Sequence, residues 1–183
     1  GLTSARHDVL SQYIKGKYPE SYDNDLPSEL AYCGSKNLTD KLKGFNIDIG
    51  KMLLSPTRSY APLLKLIFDE IGRNKINGII HCTGGGQTKI LHFIDNLHIL
   101  KNNLFEIPPI FKLIMNESNT DPKEMYKVFN MGHRMEIYLD PENASKVIDI
   151  SKSVGIDAKI IGEVIESDHK KLSIQSELGN FDY

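Results

Sequence analysis

Apolar positions recur at helical spacing near the start of the chain. Val9, Leu10, Tyr13 and Ile14 share one face, which predicts a helix over Ser4–Lys17 with Ser4 as its N-cap and Pro19 as its stop. The periodicity is lost over residues 20–44, where Asp23, Asn24, Asp25, Pro27, Gly34, Asn37 and Gly44 predict a long loop or insertion. A short helix is predicted over Ile47–Leu54 and a connector over Thr57–Tyr60. A stronger helix starts at Pro62, with Leu63, Leu64, Leu66, Ile67, Phe68 and Ile71 as its apolar positions, and ends at Gly72. Gly78–Cys82 reads as a strand running into three glycines, then a helix over Gln87–Leu97 and a second strand at Leu104–Ile107. Helices come next over Pro109–Asn116 and Asp121–Phe129, the latter capped by Asp121 with Pro122 in its first turn and Glu124 close to a capping box. Arg134–Leu139 alternates as a strand, Pro141–Val154 is helical up to Gly155, and Ala158–Ile165 is a strand. Residues 167–183 form a polar tail whose one weak strand candidate is Leu172–Ile174. No internal repeat is visible, and the mixture of elements predicts a layered α/β or α+β domain.

Composition narrows this picture by exclusion. Of 183 residues, 40% are hydrophobic and 25% charged, which is ordinary for a globular chain and unlike a fibrous or disordered one. A formal net charge of −2 lacks the clustered Lys/Arg excess that nucleic acid demands, so no nucleic-acid partner is expected. No apolar run approaches the roughly 20 residues that cross a bilayer, so no membrane partner is expected either. Cys33 and Cys82 form no metal or disulfide pattern, and a reduced, cytoplasmic setting is the default. The chain opens on Gly1 rather than Met, which suggests a piece of a longer protein.

The strongest chemical signal is His81-Cys82-Thr83-Gly84-Gly85-Gly86 between a strand and a predicted helix. Glycines let backbone amides approach a ligand closely, and a helix N-terminus behind them favours an anion such as phosphate. The run is neither a Walker A loop nor GxGxxG, and a plain tight turn explains three glycines equally well. Thr57 and Arg58 could together hold a phosphate or carboxylate, or Arg58 could be a solvated surface residue. Asn130 in Phe129-Asn130-Met131-Gly132 offers a donor and an acceptor, or it and Gly132 serve as a left-handed helix end. Ser4 could bind a ligand or cap its helix. His81 stands out among six histidines by its place beside the glycines, and no zinc spacing is present. Asp23 and Asp25 are the nearest approach to a carboxylate cluster and lie in a polar loop, so no metal ligand is assigned.

Four motifs in one order carry a resemblance. They are Gly1-Leu2-Thr3-Ser4, then Leu54-Ser55-Pro56-Thr57-Arg58-Ser59-Tyr60, then Ile80 through Gly86, then Pro108-Pro109-Ile110-Phe111 continuing to Glu124-Met125-Tyr126 and Phe129-Asn130-Met131-Gly132. Over residues 1–165 this resembles the C-terminal half of the aminoimidazole ribonucleotide synthetases (phosphoribosylformylglycinamidine cyclo-ligases). The resemblance implies a three-layer α/β/α domain with a mixed sheet flanked by helices, over residues 1–166, with 167–183 as a tail and an N-terminal half outside this chain. It implies an ATP- and Mg²⁺-dependent ligase of purine biosynthesis, with ATP and Mg²⁺ held mainly by that N-terminal half, and a homodimer. The substrate would be a ribonucleotide, with Thr83, Gly84, Gly85, Gly86, Thr57, Arg58 and Ser4 around a phosphate of that substrate or of the nucleotide. His81 and Asn130 would line the same cleft as candidates for catalysis. Such a half is expected to be inactive alone.

Departures accompany the likeness. Where the family has GLHSNG, this chain has Thr3, Ala5 and Arg6, and His133 and Arg134 replace small and apolar residues after Gly132. The rival expectations are another ATP-dependent synthetase or kinase of the same superfamily, such as a hydrogenase-maturation protein, or a non-catalytic module that binds a phosphorylated metabolite.

Overall fold

The computed structural model describes residues 1–55 and 58–183. The predicted first helix is two helices, α1 (Leu2–Val9) and α2 (Gln12–Lys17). Neither proline nor glycine breaks it. Leu10 turns extended, and the segment 33–36 docks on the freed end: Cys33, Gly34 and Lys36 donate their N–H groups to the carbonyls of His7, Leu10 and Val9. A side chain at Gly34 would place Cβ 2.2 Å from the Val9 carbonyl, so only glycine permits the approach. The loop over 20–44 is therefore tied down, and Tyr32 is buried within it at 1% exposure, against the His7 ring. Ser4 is inside α1 rather than capping it; Gly1 occupies the cap position.

Helix α3 (Ile49–Leu53) is capped by the Asp48 carboxylate, which accepts from Lys51 N–H. Helix α4 (Ala61–Ile71) carries Pro62 in its first turn and stops at Gly72, as predicted. Strand β1 (Ile76–His81) pairs antiparallel with β3 (Met135–Leu139). Alternation divides β3 between two cores. Met135, Ile137 and Leu139 join Leu63 and Ile67 of α4 and Val147 and Ile150 of α7 (Ala144–Ser153). Glu136 and Tyr138 point the other way, as do Ile80 and Cys82.

The second sheet has four strands in the order β4-β2-β5-β6. Strand β2 is Leu97–Lys101, which begins where the helix predicted over Gln87–Leu97 would end. Strand β4 is Gly162–Glu166, β5 is Lys171–Ser176 and β6 is Gly179–Asp182. β2 runs antiparallel to β4 and parallel to β5, and β5 runs antiparallel to β6, so the sheet is mixed. The weak candidate Leu172–Ile174 lies within β5, and both of those residues are fully buried. Ile99, Leu172 and Ile174 join the larger core with α1, α5 (Pro109–Ser118) and α6 (Pro122–Val128). Mixed strands with packed helices make this an α/β domain, as expected.

Two buried polar contacts stitch the parts together. The predicted strand over Leu104–Ile107 is irregular chain, because its backbone bonds to side chains instead of to a sheet. Phe105 N–H donates to Nε2 of His133 at 3.1 Å, and Lys159 Nζ donates to the Leu104 carbonyl. His133 is 4% exposed, and burial pushes its pKa down to about 4. A neutral imidazole fits, since Nε2 must keep its lone pair to accept. The second contact is deeper. Lys101 Nζ of β2 donates to Glu136 of β3 at 2.5 Å and to both the carbonyl and the side-chain Oε1 of Gln87 at 2.9 Å. Glu136 also accepts from the Tyr138 hydroxyl at 2.6 Å.

Each contact generates an expected outcome. His133 takes up a proton near pH 6.5 when unfolded but only near pH 4 when folded, so stability falls as pH drops through that window. Between pH 7 and pH 4.5 the protein should lose about 2 kcal/mol more than H133Q, whose amide oxygen still accepts from Phe105 but does not titrate. Urea denaturation of both at the two pH values measures this, and equal losses would contradict it. Lys101→Met should cost about 3–5 kcal/mol, because it strands a buried carboxylate, whereas K101M/E136Q removes both charges and should recover most of that loss. Their denaturation midpoints decide the point.

Candidate functional site

Strand β1 leaves its pairing at His81, and the chain bends through Cys82 and Thr83 into the glycines. Gly84, Gly85 and Gly86 have φ of 55°, 94° and 49°, three left-handed residues in succession, which side-chain-bearing residues rarely adopt. Gly86 is glycine for a second reason: a Cβ there would sit 2.5 Å from the Phe129 carbonyl and 2.7 Å from the Tyr126 carbonyl at the end of α6. The turn is thereby pressed against Phe129-Asn130-Met131-Gly132, and two of the sequence motifs meet.

The glycines lead into a 3₁₀ helix over Gly86–His92, not the α-helix predicted over Gln87–Leu97. Its seven residues are too few for the macrodipole argument, which needs many aligned peptides. The anion case rests on the turn itself. Among the described residues, the N–H groups of Gly84, Gly85, Gly86 and Gln87 have no hydrogen-bond acceptor, while Thr83 N–H donates to the His81 carbonyl and Thr88 N–H to the Gly85 carbonyl. Successive free amides around left-handed glycines form a concave donor set for an oxyanion. Thr83 and Gly84 are exposed, whereas Gly86 and Gln87 are buried, so the donor set opens to solvent at its Gly84 end.

The other candidates are scattered around this turn. His81 lies on the α4 side of β1, with its ring edge-on to Tyr60 at 6.3 Å. Cys82 points to the opposite face; it is buried, and burial pushes its thiol up to about 12, so it packs as a small hydrophobe. Asn130 accepts from Gly132 N–H through Oδ1 at 2.9 Å, and its carbonyl accepts from Gln87 Nε2 at 2.6 Å. Its side-chain oxygen thus builds a turn in which Met131 and Gly132, not Asn130, are left-handed. Ser4 Oγ donates to Asp8 at 2.8 Å on the exposed side of α1. The start of α1 nonetheless comes near, since a Cβ on Gly1 would meet the Phe129 ring at 3.7 Å. Arg58 donates to the Gly155 carbonyl at the end of α7, and Thr57 lies outside the described residues.

Three residues at the turn were missed in the sequence. Lys89 Nζ donates to the Thr83 carbonyl at 2.8 Å and closes the turn from above. Gln87 and Lys101 hold it from below. Lys101 shares its face of β2 with Leu97 and Ile99, a signal hidden as long as the stretch after Leu97 is not read as a strand. Clefts of about 400 Å³ beside Asn102 and Asn180 and about 540 Å³ beside Tyr13 and Tyr18 include no residue of the turn. The turn is an open surface feature. Among the described residues no group of three or more His, Cys, Asp and Glu could hold a metal, and Asp23 is spent accepting from Asp25 N–H. The donors present do not fit Mg²⁺.

Comparison with known proteins bears on the family. Residues 34–175 match the model of the family described as "AIR synthase related protein, C-terminal domain". The chain is 36% identical over 143 residues to the phosphoribosylformylglycinamidine cyclo-ligase of Methanococcus vannielii, covering 75% of this chain and 40% of that protein. It is 36% identical over 132 residues to the enzyme of that name from Methanocaldococcus jannaschii, covering 72% and 37%. With the one from Methanopyrus kandleri it shares 32% over 168 residues, covering 91% and 40%. The chain thus spans about 40% of the length of these curated relatives. A crystal structure of E. coli HypE, a hydrogenase maturation protein, overlaps it with a TM-score of 0.48 at 21% identity, covering 63% of this chain and 36% of that one, too loose a likeness to decide function. Because the family model runs from the docked loop at Gly34 through the glycine turn into β5, the chain belongs to the family of AIR synthase-related C-terminal domains.

Proposed function

We propose that this chain is the C-terminal part of an ATP-dependent cyclo-ligase that converts formylglycinamidine ribonucleotide to aminoimidazole ribonucleotide. The glycine turn receives a phosphoryl group in that reaction. The observation that carries this is the run of four acceptor-free amides from Gly84 to Gln87, within a chain whose relatives bear the cyclo-ligase name.

The chemistry asks for such a donor set. An amide oxygen is a poor leaving group, and ATP, held in the N-terminal half with Mg²⁺, supplies the phosphoryl group that makes it a good one. Ring closure by the amidine nitrogen then expels phosphate. Backbone amides that are already oriented stabilise a phosphoryl oxygen without reorganising. Lys89, whose ammonium rests on the Thr83 carbonyl, adds positive charge at the rim. His81, Asn130, Ser4, Thr57 and Arg58 remain candidates for the wall of the cleft that the N-terminal half would complete. In this reading the whole protein is a cytoplasmic homodimer, and the 183-residue chain alone gives no turnover.

Gly84 allows a direct test, because a Cβ there meets nothing within 4 Å and Asp and Asn tolerate left-handed φ. G84D sets a carboxylate among the amides; G84N is its neutral partner of the same shape. In the full-length product of the gene, G84D should raise the Kd for formylglycinamidine ribonucleotide at least about tenfold over G84N, with both folded. Calorimetric titration and an ATP-dependent cyclisation assay measure this. Equal Kd values for the two variants would remove the turn from the site, and turnover by the 183-residue chain alone would refute the division of labour.

A further inference from the structure

The glycine turn has no side chain with which to hold its own shape, and its amides are left open for a ligand. Three consecutive glycines carry the greatest backbone freedom a chain can have. Their arrangement must therefore be imposed from the ends. Upstream, Cys82 N–H donates to the Arg134 carbonyl and Thr83 N–H to the His81 carbonyl. Downstream, the first side chain after the glycines is Gln87.

We propose that Gln87 is the positioning residue of the glycine turn and that the buried Lys101 ammonium locks it in place. This rests on the reading of the turn as a phosphoryl site. Neither side chain touches the ligand; Gln87 offers it only its backbone N–H. Gln87 is 1% exposed and bonded at three atoms: its carbonyl and Oε1 both accept from Lys101 Nζ, and its Nε2 donates to the Asn130 carbonyl at 2.6 Å. The Gln87 carbonyl is thus drawn inward, and the bond to Asn130 fixes the distance to the motif that Gly86 abuts. Lys101 in turn has no freedom left, because its third proton goes to Glu136, whose other oxygen accepts from Tyr138.

The energetics favour a positioning role over a purely stabilising one. A lysine 1% exposed in a sheet core must shed its hydration, and a buried ion pair roughly breaks even against apolar side chains of the same size. A methionine at 101 with a glutamine at 136 would fill the space without that desolvation. Apolar packing lacks direction, whereas the ammonium aims both oxygens of Gln87 to one point.

Two variants test this in the full-length product of the gene labelled with ¹⁵N, using inorganic phosphate as the probe. Q87M keeps the volume of Gln87 and removes its side-chain hydrogen bonds. K101M/E136Q removes the lock without leaving a buried charge unpaired. In the wild type, phosphate should shift the Gly84–Gln87 amide resonances saturably. In both variants its Kd should rise at least about tenfold, with the spectral changes confined to residues near 84–87 and 130–132. A merely structural role would lower the denaturation midpoint and leave the Kd of the folded protein unchanged, which overturns the proposal while the phosphoryl reading stands. Absence of any shift in the wild type would instead defeat the phosphoryl reading, and this proposal with it. Should Q87M fail to fold, K101M/E136Q decides alone: a Kd within about twofold of wild type overturns the positioning role.

Discussion

One ammonium group organises the centre of this domain. Lys101 Nζ lies between the two sheets' strands β2 and β3 and donates to three acceptors, two of them on Gln87. Every proton it carries is matched, which is the condition for a lysine to remain in a protein interior at all. The consequence reaches beyond β2 and β3. Gln87 is the first residue after the glycines with a side chain, so the same contact that ties β2 to β3 also reaches the downstream end of the turn. Asn130, through its carbonyl, joins the helix α6 end to that point.

Around this anchor the surface turn is built from absences. Gly84 to Gly86 all take left-handed φ values that favour glycine, and at Gly86 the carbonyls of Tyr126 and Phe129 also leave no room for a side chain. Their amides lack partners because the glycines run into a short 3₁₀ segment whose first bond is Thr88 to Gly85. A run of unsatisfied amides that is exposed at its Gly84 end is suited to an anion. The chain spans about 40% of the length of its curated relatives.

His133, a departure from the family pattern, has a local reason. It replaces strand pairing for the segment 104–107 with a single imidazole acceptor for Phe105 N–H, its ring tilted by 46° to the Phe105 ring. That choice makes part of the fold acid-sensitive. Other departures are not all explained: Arg6 has its Nε buried with no hydrogen-bond partner, and nothing in the structure accounts for it.

The amino-acid sequence by itself determined the elements whose signals are local. The helix opened by Pro62 and closed by Gly72, the Asp121 cap, the strand into the glycines and the alternation of Arg134–Leu139 need only nearest neighbours along the chain, and all are present. The family likeness was legible in the same way, through short contiguous motifs. Only the tertiary structure decided the rest, because the deciding partners are far apart in sequence. Leu10 leaves the first helix for a segment beginning at Gly34. Leu97–Lys101 becomes a strand because β4 and β5 flank it, and the leucines and isoleucines of 90–100 suit either period until those neighbours are known. Lys101 shows no function until Gln87, fourteen residues earlier, and Glu136, thirty-five later, close around it. Spacing along the chain can suggest a turn that binds; contacts made across space hold that turn open.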